Sequence, residues 1–110
     1  MAQLKTDALV KQMLSAAGKV LKKDWPEARK YAELEFTKLA QTMAMIQTQH
    51  KLGELNKTEA RLLMDIQRHA ARAVLLTLEG LGAIAVEKAI NAAFRVVRDA
   101  VNAAIGFALL

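Results

Sequence analysis

An all-α bundle is the fold class this sequence predicts, and three observations predict it. The chain is 54% hydrophobic but only 5% aromatic; the excess is Ala, Leu, Val, Ile and Met, largely a helix-former's palette. One proline and five glycines in 110 residues supply too little turn chemistry for an all-β chain. Apolar residues recur at steps of three and four through most of the length, the period of a helix face. A chain of 110 residues suits one domain and is too short for two ordinary ones. Residues 1–110 therefore read as a single helical-bundle domain.

The first helix is expected from about Thr6 to Lys22, with Thr6 or Asp7 as its N-cap. Leu9, Met13, Ala17 and Val20 form its apolar face, and Lys11, Ser15, Lys19 and Lys22 the opposite one. Asp24-Trp25-Pro26-Glu27 starts the second helix: an Asp N-cap, an early proline and an acid three residues on. Along it, Ala32, Phe36, Leu39, Met43, Ile46 and His50 follow a 4-3-4-3-4 spacing, the seam of helices packed nearly in line. Gly53 is expected to end it as a C-terminal cap.

Asn56-Lys57-Thr58-Glu59 opens the third helix with a second cap signature, and Leu55 is placed to staple against Ala60. Leu63, Ile66, Ala70 and Val74 read as its inner face, and Arg61, Asp65, Arg68 and Arg72 as its outer stripe. The stretch Glu79-Gly80-Leu81-Gly82 decides whether that helix continues. Uninterrupted, it would be a rod roughly 75–80 Å long at 1.5 Å per residue, which two shorter helices could not cover. Beyond the glycines a second polar stripe, Lys88, Asn91, Arg95, Arg98 and Asn102, is rotated by roughly 120° from the first at 100° per residue. A single straight helix facing one core should keep one polar side. The sequence thus predicts a small antiparallel up-down bundle of four helices with a break or kink at Gly80–Gly82. The alternative is three helices, the third very long. Short connections make sequence neighbours antiparallel.

Composition also bounds function. The absence of cysteine excludes a disulfide scaffold, a thiolate zinc site and a cysteine nucleophile. Di-iron bundles use inward glutamates and Glu-x-x-His pairs; no such pair occurs, and the two histidines, His50 and His69, fall on different helices. Glu79 extends the Arg61–Arg72 stripe and reads as a solvated acid within reach of Arg72 or another base. Glu87 has no partner acid at a useful spacing for general acid and base work. Ser15, the sole serine, lies on a lysine-rich face with no histidine nearby. Gly80-Leu81-Gly82 follows no strand and precedes no phosphate-binding lysine, so it is not a phosphate loop. No catalytic, cofactor-binding or metal-ligating residue is assigned, and no enzyme activity is expected.

A net charge of +5 permits weak attraction to anions without establishing it. The only basic cluster is Lys19, Lys22, Lys23, Arg29 and Lys30 with Trp25 beside it; no helix has the profile of a base-reading helix. The segment MAQLKTDALVKQ has no apolar leader run, so the cytoplasm is the default. Ala73–Val86 is interrupted by Glu79 and falls short of the roughly 18–20 apolar residues that span a bilayer.

From Ala83 to Leu110 the polar stripe is narrow and Ile84, Val86, Ile90, Phe94, Val97, Val101, Ile105, Phe107, Leu109 and Leu110 surround it. A helix apolar around most of its circumference must be buried around most of it. The sequence therefore predicts a non-enzymatic module acting through self-association, or through docking on a partner protein, by way of this C-terminal helix. One rival is a bundle enclosing a metal or small ligand lined by His50, His69, Glu79 and Glu87. Another is attachment to a membrane surface, or to nucleic acid, through a basic amphipathic face.

Overall fold

Three short breaks divide the chain into helices. The computed structural model describes residues 4–110; residues 1–3, part of the segment read for a leader, lie outside the described residues. The helices are α1 (Thr6–Leu21), α2 (Trp25–Lys51), α3 (Lys57–Leu76) and α4 (Ala83–Ile105), with a 3-10 turn at Lys22–Asp24.

At the first break the expected caps give way to backbone bonds. The N-cap of α1 is Lys5, extended and without a side-chain bond, while Asp7 sits in the first turn, where its charge complements the helix dipole. Lys22 closes α1 at φ 49°, ψ −112°, with its N–H bonded to the Gly18 carbonyl. A side chain in such a region costs on the order of 1–3 kcal/mol. The 3-10 turn then leads straight into α2, and the Trp25 N–H bonds the Lys22 carbonyl. Asp24 occupies the N-cap position but its backbone is already helical, and its side chain makes no cap bond.

The second break matches expectation. Gly53 has φ 76°; its N–H bonds the His50 carbonyl and the Glu54 N–H bonds that of Gln49. That bond pair is the Schellman arrangement, which needs a left-handed residue at this position. Asn56 and Glu59 then exchange side-chain-to-backbone bonds of 2.8 and 3.0 Å, the reciprocal capping box. Leu55 is half-buried against the core and Ala60 is fully buried. The third break spans residues 77–82, from the Thr77 cap through Gly80 at φ 90° to the extended Gly82. The chain therefore breaks between α3 and α4 as predicted, and the alternative of one very long third helix does not hold.

Bonds between elements fix the directions. The Leu4 N–H donates to Gln47 Oε1, and Gln47 Nε2 donates to the Ala104 carbonyl, joining the start of α1 to the ends of α2 and α4. Arg61 Nε donates to the Ala108 carbonyl, joining the start of α3 to the end of the chain. So α1 and α3 run one way, α2 and α4 the other. Close packing joins α4 to α1, α1 to α2 and α2 to α3, while α3 and α4 approach less closely. The predicted seam of α2 forms the core centre: Ala32, Phe36, Leu39, Met43 and Ile46 are buried.

Two faces differ from expectation. On α3 the buried residues are Ala60, Met64, Ala71 and Leu75, not Leu63, Ile66, Ala70 and Val74. Leu63 and Val74 are half-buried, and Ile66 and Ala70 are exposed. Two arginines accompany the rotation. Arg72 Nε lies 2.5 Å from Glu87 Oε1, Arg68 donates to Asn91 Oδ1 and stands over the Phe94 ring. The expected outer stripe is thus largely the α3/α4 seam, closed by long stems with charged tips.

Second, the final helix stops at Ile105. Gly106 takes φ 98° and its N–H bonds the Asn102 carbonyl, which turns the last residues back onto the bundle. Asn102 Oδ1 accepts the Leu109 and Leu110 N–H groups at 2.9 and 3.0 Å, and its Nδ2 donates to the Leu110 carbonyl at 3.4 Å. Phe107 and Leu109 are buried by this turn.

Gly18 lets α1 approach the next helix. A Cβ there would lie 2.9 Å from Trp25 Nε1. Even the alanine Cβ must displace the indole, against the recovery of about 0.5–1 kcal/mol of helix propensity, and valine must push it farther. Gly18→Val is expected to cost about 1–3 kcal/mol through overpacking and to shift the fluorescence of the only tryptophan to the red. Unchanged emission and midpoint would place Trp25 elsewhere.

Candidate interaction surfaces

Large apolar side chains left in water form an ordered set. On α3, Leu62 is 60% and Ile66 52% exposed, and Leu76 is also exposed. With exposed Ala73 they fall within about 80° of one helix face at 100° per residue. That face is opposite Ala60, Met64, Ala71 and Leu75. So α3 carries two apolar faces, one in the core and one outward. Ile84, exposed at the start of α4, lies across the 77–82 turn from Leu76. On α2 and its C-cap, Leu34, Met45 and Leu52 are exposed and share a line within about 20°.

The C-terminal helix is covered far more completely than its sequence suggests. Val86, Ala89, Ile90, Ala93, Phe94, Val97, Val101 and Ile105 are buried within the chain. Its exposed large apolar residues are Ile84 and Val96. No helix among the described residues is long and apolar enough to cross a membrane.

The residues singled out for chemistry are dispersed. His50 is half-buried with its ring 4.7 Å from that of Phe107, beside a cleft of about 310 Å³ lined by Gln47, His50, Lys51, Ala104 and Ile105. His69 is exposed on α3, and Glu79 is exposed in the 77–82 turn rather than on a helical stripe. Glu87 holds Arg72, the base expected for Glu79. Among the described residues no group of three or more His, Asp or Glu side chains is placed to hold a metal ion. In the basic turn, Lys22, Lys23, Arg29 and Lys30 are exposed, but Arg29 pairs with Glu33 at 4.0 Å and Trp25 packs on Gly18.

Sequence reasoning missed Asn102, Gln47 and the outward ridge of α3. The ridge had a signal. Leu62, Ile66, Ala73 and Leu76 form a second set at helical spacing, interleaved with Ala60, Met64, Ala71 and Leu75. Searches of protein-family models, curated proteins and solved structures find no match to this chain.

Proposed function

We propose that the chain is a non-enzymatic helical module that works by protein association, in the first instance with a second copy of itself. The observation that carries this reading is the outward ridge of α3: large aliphatic residues at helical spacing on the face opposite the core. Contiguous exposed apolar surface of this kind is characteristic of contact sites. An isologous pairing of two α3 helices, antiparallel about a two-fold axis, sets Leu62 opposite Leu76 and Ile66 opposite Ala73. Burial of most of α4 favours α3 as the centre of the contact, with Ile84 extending it beyond Leu76. The C-terminal helix then contributes at its first turn rather than along its length.

Native mass spectrometry with sedimentation velocity tests this. The unaltered protein is expected to form a defined multimer at micromolar concentration. Leu62→Glu combined with Ile66→Glu is expected to give a monomer of unchanged helicity, because both positions lie outside the core. A wild-type chain that stays monomeric throughout that range would overturn self-association.

A further inference from the structure

A second surface lies where α1 and α4 pack together, across the bundle from the ridge of α3. Between these helices runs an open groove of about 530 Å³. Its floor is small and aliphatic: Ala16 and Val20 from α1, Ala92 and Val96 from α4. Lys11, Gln12, Ser15 and Lys19 form one wall. On α4, Lys88 stands one turn before Ala92 and Arg95 three residues after it, both exposed.

What this groove adds to exposed cations, which the basic turn at Lys22, Lys23 and Lys30 also has, is an apolar lining beside them. The ion pairs of the described residues are Arg29–Glu33, Lys38–Glu35, Arg72–Glu87 and Arg98–Asp99. None engages Lys11, Lys19, Lys88 or Arg95. The acids of α1 and α4 are Asp7, Glu87 and Asp99; Glu87 and Asp99 already lie beside arginines. Lys11 and Lys19 therefore line the apolar channel without an ion pair, and Lys88 and Arg95 stand exposed on the α4 side, where Asp99 shares their face.

We infer that the α1/α4 groove receives an acidic amphipathic helix from a different protein. Its apolar face would lie on Ala16, Val20, Ala92 and Val96, and its carboxylates would reach the lysines and arginine on the rims, a helix-in-groove mode with electrostatic selection. A second copy presenting the same face would bring like charges together. A membrane surface is served by projecting bulky anchors, whereas the largest apolar residues of this shallow groove are valines. The inference is independent of self-association through α3.

The test uses the full chain and a fluorescent synthetic helical peptide, with leucine and alanine along one face and glutamate on its flanks. Anisotropy is expected to report saturable binding that weakens with salt, with amide shifts concentrated in α1 and α4. Lys11→Glu with Lys19→Glu is expected to weaken binding about tenfold, the equivalent of about 1.4 kcal/mol, with circular dichroism unchanged. Val96→Arg, which fills the floor without reversing the rim, is expected to weaken it as well. Absence of binding, equal binding of a peptide with lysine for every glutamate, or binding indifferent to both variants would each overturn the inference. So would cosedimentation with phosphatidylserine vesicles when the peptide fails to bind.

Discussion

Replacing Phe107 by alanine is expected to destabilise the fold by about 3 kcal/mol, the lower end of the range for truncating a buried phenylalanine. The residue lies beyond the last helix, yet it is buried. Its ring meets that of His50 on α2, and Lys57 and Arg61 of α3 each stand 5.8 Å from its centroid. It therefore joins the end of the chain to two helices. Asn102→Ala is expected to cost about 1–3 kcal/mol, since it strips partners from backbone groups held in a half-buried turn. Both changes release the same segment, so the double variant should cost less than the sum of the two. Denaturant midpoints give the energies. Hydrogen exchange gives the location: amides of Leu109 and Leu110 should exchange quickly in Asn102→Ala while those of α4 stay protected. A loss below about 1 kcal/mol for Phe107→Ala would mean that 107–110 is not docked.

What the sequence made legible was whatever local rules determine. The α2 seam and the Gly53 and Asn56–Glu59 caps follow from spacing and backbone chemistry within one turn of chain, and each is found where those rules place it. The break after α3 was predicted from two polar stripes that could not share one solvent side, and it is present although the first stripe proves to be partly a helix seam. Facts that depend on a neighbour were not. Asp24 has the right residue type for a cap, but the 3-10 turn holds its backbone in the helical region and its side chain makes no cap bond. Asn102 reads as one more member of a polar stripe, because nothing local announces that a chain reversal at Gly106 will bring two amide groups to its side chain.

The candidate surfaces were legible in kind but not in place. Excess apolar surface was evident, and the C-terminal helix looked like its source because its apolar residues surround the axis. Burial by the other helices, together with the return of Phe107 and Leu109, covers most of it. The surplus emerges on α3, where two apolar sets interleave and two arginines reach into the seam with α4. Treating arginines as a solvent stripe overlooks that their stems can span a helix seam. The α1/α4 groove is less legible still, since its floor is assembled from residues more than seventy positions apart.

The orientation of α3 gives a sharp test because neighbouring positions exchange roles. Met64 is 2% exposed and faces the core, so Met64→Ala is expected to cost about 2–4 kcal/mol through lost burial and the cavity left behind. Ile66 is of similar size and belongs to the inner face if the arginines point to solvent. In the structure it points outward, and Ile66→Ala is expected to cost less than about 0.5 kcal/mol in dilute solution. The reverse ranking would restore the unrotated helix and remove the ridge on which the association reading stands. Concentration separates the two roles of Ile66 further. Stability supplied by a partner grows with protomer concentration, whereas core packing does not depend on it. The deficit of Ile66→Ala should therefore widen as the protein is concentrated, while that of Met64→Ala holds constant. A deficit for Ile66→Ala that is large at the lowest concentration and flat thereafter would place its side chain in the core of a single chain.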